Sequence, residues 1–441
     1  MKNILLIQNK INSFKNSINI SGDKSLSIRW AIMSAQALGK SKAFNLLDSE
    51  DVNNTLVSLK KLGIRIKKKE NYCEINGNGL NGFSFSKNTT INAENSGTFA
   101  RLILGVLAKT NKKVILKGDK SLSNRDFSRV IKPLAKFGVK IISRNNKLPI
   151  KIYGTDYLRP IKYEELKGSA QVKSCIMLAA LNTPGITEIK CKPSRDHTEL
   201  LFKYLKLNIK IIKNKKYDLI TIEGGKQYKG FNYKIPGDIS SASFFIVLTL
   251  LSKNSKLILK NINVNKTRTG IIDILKRMNA KIYLKNKRRY KGELIADIKV
   301  ESSNNLKPIK CPKEMNSRLI DELPLIFLVC AKAKGTSYFE NLDELRHKES
   351  DRLYLSSKFL NMIGIKNKIN LNGFKIEGNP NLMLKQNYIV KNFLKDHRIF
   401  MLSCIAALTL GGKWKIYDKD SIKTSFPDFL KTIKILGGKF K

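Results

Sequence analysis

One segment type recurs six times along the 441 residues: a short polar turn, a helical run rich in Lys and Leu, then a small-residue turn into a strand. The copies are Asp48–Ile66, Arg125–Ile142, Ser194–Ile212, Thr267–Leu284, Ser350–Ile369 and Ser425–Phe440. Glycine marks the exit of several, at Leu62-Gly63, Phe137-Gly138 and Leu436-Gly437-Gly438. A spacing of about 70–85 residues exceeds the usual solenoid periods, so each copy is expected to sit in a small α/β unit of its own. Between the copies runs a second, more apolar series: Ser25–Leu38, Ser96–Ala108, Ser169–Leu181, Ser240–Leu251, Asp321–Ala333 and Asp396–Leu410. Each opens at or near Ser or Asp, whose side-chain oxygen accepts from an unpaired first-turn N–H and so caps a helix. Little charge falls on any face beyond those openings, which predicts buried helices. Apolar strands such as Lys113–Leu116 and Lys256–Leu259 follow several of them. The predicted fold is α/β, with one buried helix, one amphipathic helix and intervening strands in each of six units.

Lys and Arg number 83 against 35 Asp and Glu, a formal net charge of +48. An excess of that size attracts polyanions, because counterion release drives sequence-independent nucleic-acid binding. Yet the cations are spread along the whole chain among abundant Asn and Ile, with no compact basic tail and no nucleic-acid module. The excess therefore reads as solvated Lys on exposed faces, and in a cleft it concentrates small anions. No specific nucleic-acid partner is expected. No apolar run approaches the roughly 18–20 residues that a bilayer requires; Phe244–Leu251 and Leu325–Cys330 are too short. The opening Met1–Gln8 resembles neither a signal peptide nor a transit sequence, which predicts a cytoplasmic protein. The six cysteines form no Cys-x-x-Cys pair, and His197, His347 and His397 stand at no ligand spacing to them. Reduced thiols and no metal site are expected.

Polar residues gather at the openings of the apolar helices, where partial positive charge and free N–H groups favour anions. The first opening is Ser21-Gly22-Asp23-Lys24-Ser25-Leu26-Ser27-Ile28-Arg29. Its Gly-x-Lys-Ser looks like the end of a phosphate-binding P-loop, but Ser17 occupies the place of the required earlier glycine. The second is Glu94-Asn95-Ser96-Gly97-Thr98, followed by a further Gly118-Asp119-Lys120-Ser121 that leads to Arg125. The third is Gly168-Ser169-Ala170-Gln171, followed by Ser194-Arg195-Asp196-His197-Thr198. Later come Asp321-Glu322, the charged run Leu345–Arg352, in which a helix would put Lys348 and Arg352 on one face, and Asp396-His397-Arg398. Taken singly, each cluster is also explained as a cap, a turn or a solvated helix face.

Taken in order, these motifs resemble the 5-enolpyruvylshikimate-3-phosphate synthases over nearly the whole chain. The match runs from Gly22-Asp23-Lys24-Ser25 through Asn95–Thr98, Ser169–Ser174, Ser194–Thr198, Pro236-Gly237-Asp238-Ile239-Ser240-Ser241-Ala242 and Thr267-Arg268-Thr269-Gly270 to Leu345–Arg352 and Thr424–Pro427. Gly118-Asp-x-Ser-Leu-x-x-Arg125 and Ser-Arg-Asp-His-Thr are similar to the bacterial subgroup called class II. The resemblance implies a two-domain inside-out α/β barrel with three repeated units per domain. One domain would span residues 21–237, the other 1–20 with 238–441, joined by two crossovers and holding the active site in the cleft. It implies transfer of the enolpyruvyl group of phosphoenolpyruvate to the 5-hydroxyl of shikimate 3-phosphate, by a monomer, without metal or organic cofactor.

By the same resemblance, Asp321 is the base toward the 5-hydroxyl, and Glu349 and Lys24 handle the proton of the methylene carbon. Phosphoenolpyruvate would be held by Lys24, Gly97, Arg125, Gln171, Arg352 and Arg398. Shikimate 3-phosphate would be held by Lys24, Ser25, Arg29, Ser169, Ala170, Gln171, Arg195, Asp321 and Lys348. Gly97 implies sensitivity to glyphosate. Departures from the family pattern are Ile20-Ser21 before Gly22, Ile28 before Arg29, Leu102 after Arg101 where many members carry Pro, and Lys423 standing one residue early. The related transferase acting on UDP-N-acetylglucosamine carries a cysteine where this chain has Lys120. The other alternative is an inactive relative that binds polyanions.

Overall fold

The computed structural model describes residues 3–214, 216–370 and 373–441. Met1 and Lys2, the start of the stretch weighed above for targeting, lie outside them. All six apolar runs are helices, Lys24–Ala35, Gly97–Val106, Ala170–Leu181, Ile239–Leu251, Leu323–Ala331 and His397–Leu410. They are buried nearly all round, and every residue of Leu323–Ala331 is inaccessible. A helix with no polar face must be enclosed by other elements. The charged runs form the amphipathic helices Glu50–Lys61, Ser128–Lys136, His197–Tyr204, Gly270–Arg277, Arg352–Met362 and Phe429–Ile435. Among the described residues no helix is long and apolar enough to cross a membrane.

Among the described residues six small sheets accompany these helices. Their common plan is an opening strand parallel to a central one, then two antiparallel partners. Thr89–Asn92, Lys113–Lys117, Ile150–Tyr153 and Lys140–Ile142 follow it, as do Lys162–Glu165, Ile186–Cys191, Asp218–Glu223 and Ile209–Lys213. In the sheet of Leu38–Phe44, Tyr72–Asn78 and Arg65–Lys68 the opening strand comes from far along the chain, Asn232–Lys234. Lys15–Asn19 likewise opens the sheet of Lys256–Asn263 and Glu293–Glu301. A single parallel bridge, Lys310 to Tyr338, holds the opening place beside Gly335–Glu340, Gly373–Gly378 and Asn367–Ile369. The last sheet pairs Leu384–Val390 with Gly411–Tyr417, and the latter with Ile4–Ile7. Backbone bonds of 2.8 and 2.9 Å then join Leu6 to Lys441.

The chain divides into two compact units, each with its own apolar core. One, here the N-terminal unit, comprises Gly22–Ile235 and Tyr290–Glu293; the C-terminal unit comprises Met1–Ser21, Pro236–Arg289 and Leu294–Lys441. The four residues Tyr290–Glu293 connect the strands Lys281–Tyr290 and Glu293–Glu301. Lys291 and Gly292 both take positive φ, 48° and 89°, the backbone that fits a two-residue hairpin turn to the strand twist. In the N-terminal unit the helices Gly97–Val106 and Ala170–Leu181 meet closely. A Cβ on Gly105 would stand 2.2 Å from the carbonyl oxygen of Cys175, so only glycine permits that approach.

Strands alternate inward apolar with outward polar residues, as Tyr72–Asn78 does. Lysine occupies the outward positions, and the buried cations among the described residues are Arg29, Lys173, Arg268 and Arg352. Most of the positive excess thus lies outside the two cores. Lys173 ion-pairs with Glu199, Nζ to Oε1 2.5 Å, both inaccessible. All six cysteines are buried and unpaired.

Candidate active site

The caps depart from expectation in a way that bears on function. Ser96, Ser169 and Asp396 cap their helices, accepting from Phe99 N (3.3 Å), Val172 N (3.4 Å) and Arg398 N (3.0 Å). The other three helices start elsewhere. Asp23 rather than Ser25 caps the first (Leu26 N, 2.9 Å), and Asp238 rather than Ser240 caps the fourth (Ser240 N, 2.8 Å). The fifth starts at Leu323 after Glu322, with no side-chain cap. A cap places its oxygen against its own backbone; Ser25 and Ser240 are therefore not spent on these caps, nor is the Glu322 side chain.

In the N-terminal unit, Gly22 brings the first helix close to the Asn45 carbonyl; a Cβ there would stand 2.0 Å from that oxygen. Lys24 and Ser25 open the helix half-exposed, and Lys24 Nζ donates to Asp51 Oδ2 at 2.8 Å. Arg29, one turn further in and buried, joins three helices. Its Nη1 donates to Ser25 O (3.2 Å), its Nη2 to Ser174 Oγ (3.1 Å) and its Nε to Thr198 Oγ1 (2.8 Å). Ser169, Ala170 and Gln171 open the third helix half-exposed. Gln171 Nε2 donates to Thr98 Oγ1 at 3.0 Å, and its Oε1 accepts from Arg101 Nη1 at 3.1 Å. Arg101 Nη1 also donates to the Gly97 carbonyl (3.2 Å), and its guanidinium lies 4.7 Å from the Phe127 ring centroid. Arg125 Nη2 donates to Asn95 Oδ1 at 3.4 Å. Burial first, then the charges of Arg125 and Arg129, push the Arg101 guanidinium below its usual range. Cations crowded in this way gain from a bound anion.

Arg195 is half-exposed just ahead of the helix His197–Tyr204. Its neighbour Asp196 accepts from Lys213 Nζ at 3.0 Å, and His197 Nδ1 lies 2.6 Å from Glu293 Oε1, both side chains buried. The Ser-Arg-Asp-His-Thr motif is thereby anchored at the two residues that follow Arg195.

In the C-terminal unit three cations meet Asp321. Arg352 Nη1 lies 3.5 Å from Oδ1, Lys348 Nζ 3.8 Å from Oδ1, and Arg398 Nη2 3.8 Å from Oδ2. The three cations thus surround Asp321, contacting both of its carboxylate oxygens. Arg352 is bound tightly elsewhere. Its Nε donates to Asp396 Oδ2 (2.8 Å), and its Nη2 to Asp396 Oδ1 (3.2 Å) and Glu349 Oε2 (2.5 Å). Burial opposes the Arg352 charge, but Asp396 and Glu349 more than offset it and raise its pKa. For Asp396 burial pushes upward, yet Arg352 holds the carboxyl below the usual range.

The expectation that Lys348 and Arg352 share a helix face is overturned. The helix Asp343–Arg346 ends before Lys348, and a new one starts at Arg352, capped by Asp351 through Tyr354 N at 2.9 Å. The cap closes off a continuous helix, and the intervening turn brings both cations to Asp321. Sequence reasoning also missed Asp51, Arg101, Asp396 as an ion partner, and Glu322, all of which hold proposed ligand residues. Only Arg101 carried a usable signal, standing four residues after Gly97 on the same helix face. Among the described residues no His, Cys, Asp or Glu cluster could hold a metal ion.

The family model for EPSP synthase (3-phosphoshikimate 1-carboxyvinyltransferase) matches residues 8–433. A protein of Ruthia magnifica subsp. Calyptogena magnifica named 3-phosphoshikimate 1-carboxyvinyltransferase is 41% identical over 431 residues, 97% of this chain and 96% of that protein. One of the same name from Petrotoga mobilis is 39% identical over 417 residues, 93% of this chain and 94% of that one. The solved structure of EPSP synthase from Acinetobacter baumannii gives a TM-score of 0.88 at 32% identity, covering 100% of this chain and 99% of that one. An enolpyruvyl transferase from Streptomyces tendae shares the fold, with TM-score 0.79 at 14% identity over 100% of this chain and 98% of that one.

Proposed function

Because the chain belongs to the EPSP synthase family, we propose how its own residues divide that family's reaction between them. The chain is an enolpyruvyl transferase of the shikimate pathway with the inside-out α/β fold. It moves the enolpyruvyl group of phosphoenolpyruvate to the 5-hydroxyl of shikimate 3-phosphate and releases phosphate. The UDP-sugar alternative is not favoured by any of the named relatives.

Asp321 takes the proton of the 5-hydroxyl as that oxygen bonds to the central carbon of phosphoenolpyruvate. Glu349, with Lys24, delivers a proton to the methylene carbon, which gives a tetrahedral adduct. The adduct then loses phosphate, and the same groups take back a methyl proton to form the enol ether. Each proton transfer contributes typically about 10²–10⁴ in rate. Arg125, Arg352 and Arg398 suit paired contacts with carboxylate and phosphate oxygens, with Lys24, Gly97 and Gln171 completing the phosphoenolpyruvate set. Ser25, Arg29, Ser169, Ala170, Gln171, Arg195 and Lys348, together with Lys24 and Asp321, hold shikimate 3-phosphate, Ala170 through its backbone. We propose that both residue sets serve one substrate pair, in a monomer acting in the cytoplasm.

The observation that carries this reading is Asp321, within 3.5–3.8 Å of Lys348, Arg352 and Arg398. The test is phosphate release from phosphoenolpyruvate with and without shikimate 3-phosphate. Release that needs neither the second substrate nor Asp321 would refute it.

Gly97 carries a separate prediction. A Cβ there would stand 2.8 Å from Arg101 Nη1 and 3.2 Å from Arg125 Nη1. Both are ends of flexible side chains, so Gly97→Ala displaces cations rather than unfolding the helix. The expected result is competitive inhibition of the parent by glyphosate against phosphoenolpyruvate. In the Ala variant inhibition is lost and KM for phosphoenolpyruvate rises about tenfold. A parent unaffected by millimolar glyphosate would contradict the first expectation, and an inhibited variant the second.

A further inference from the structure

Two motifs matched in the sequence, Pro236–Ala242 and Thr267–Gly270, supply none of the residues placed on substrate above. Both nonetheless end on a charge network that reaches Arg398, within the C-terminal unit. Arg268, buried, donates from Nη2 to Asp238 Oδ1 at 3.0 Å and to Ser240 Oγ at 2.8 Å. Ser240 Oγ donates in turn to Glu322 Oε1 at 2.5 Å. That same Oε1 lies 3.8 Å from Arg398 Nη1, while Arg398 Nη2 lies 3.8 Å from Asp321. Glu322 is fully inaccessible, caps nothing, and its Oε2 has no hydrogen-bond partner among the described residues.

A buried carboxylate with one oxygen unsatisfied is a poor structural device. Glutamine would fill the same space and still accept the Ser240 bond, without the desolvation cost of a charge. The charge gains its value from a nearby cation. Arg268 is paired with Asp238, and Arg398 stands at ion-pair range of Glu322. Through Ser240, the chain Asp238–Arg268–Ser240–Glu322 fixes where that charge sits, and so where the guanidinium of Arg398 points.

We propose that Glu322 is a positioning residue for phosphoenolpyruvate, holding Arg398 in its binding orientation through the Asp238–Arg268–Ser240 network. This rests on the reading of Arg398 as a phosphoenolpyruvate ligand. The role differs from that of adjacent Asp321, which meets substrate directly: Glu322 acts only through Arg398.

The experiment measures steady-state phosphate release by the full chain for Glu322→Gln, Arg398→Ala and the double variant, varying each substrate in turn. Expected for Glu322→Gln is a KM for phosphoenolpyruvate raised about tenfold, with KM for shikimate 3-phosphate within about twofold of the parent. In the Arg398→Ala background Glu322→Gln changes nothing further, a non-additivity that general loosening of the fold would not give. If Glu322→Gln fails to fold, Ser240→Ala, which keeps the carboxylate, reads the same effect at about threefold. Arg398→Ala raising KM for phosphoenolpyruvate while a folded Glu322→Gln, or Ser240→Ala in its place, leaves it unchanged overturns the positioning role alone. Full additivity, or equal rises in both KM values, also overturns it. Arg398→Ala without effect on phosphoenolpyruvate overturns the ligand reading, and the positioning role falls with it.

Discussion

Asp321→Asn is expected to lower kcat for phosphate release by about 10²–10⁴, with KM for either substrate unchanged or lower. Asparagine keeps the size and one acceptor oxygen of the side chain but cannot take the hydroxyl proton. It also removes the negative charge that lies within 3.8 Å of Lys348, Arg352 and Arg398. Those cations then have more net charge to offer an anionic substrate, so binding is not weakened. A residue that merely held the cations in place would show the reverse: KM would rise as they moved apart, with kcat less affected. Asp321 lies outside the helix that begins at Leu323, whose N-cap position is Glu322, so unfolding temperature stays close to the parent's. An Asn variant that retains more than about a tenth of parental kcat would remove Asp321 from the role of base.

Much of this was legible in the chain because the constraints were local. Apolar runs without a polar face had to become enclosed helices, and Ser or Asp at their openings had to sit near the first turn. What local reasoning misjudged was which oxygen caps. Asp23 and Asp238 precede Ser25 and Ser240 by two residues, and both types satisfy the same N–H groups, so pattern alone does not choose between them. The choice matters, because the residue left over is the one available for chemistry.

Other features depended on partners distant in sequence. Arg29 meets Ser174 and Thr198 through the packing of three helices, and His197 meets Glu293 across 96 residues. No periodicity encodes such pairs. Leu345–Arg352 shows the opposite hazard. Its charge spacing suits a helix face, but Ser350-Asp351 offers a cap, and the cap prevailed.

Arg352→Met is expected to destabilise the protein by about 3–5 kcal/mol in urea denaturation near neutral pH, because it leaves a buried carboxylate without its cation. Asp396 is fully inaccessible and receives two of the Arg352 bonds, with a third contact from Ser350 Oγ at 2.8 Å. The pH dependence separates this cause from a simple packing defect. In the parent, burial raises the Asp396 pKa but Arg352 outweighs it, so the folded value lies below the unfolded one. The stability it contributes is then present above the ordinary aspartate range and lost as pH falls through the depressed folded value. Without Arg352, burial remains as the largest influence, the folded value moves above the unfolded one, and protonation favours the fold. The stability gap between variant and parent therefore narrows between about pH 7 and pH 4. A gap that stays constant over that range would assign the loss to packing of the long side chain. Arg352→Lys adds the functional half: it restores charge to the pocket but not the planar fork that meets Asp396 and Glu349 together. Recovered stability with phosphoenolpyruvate KM still raised would show that Arg352 holds the fold by its charge and the substrate by its geometry.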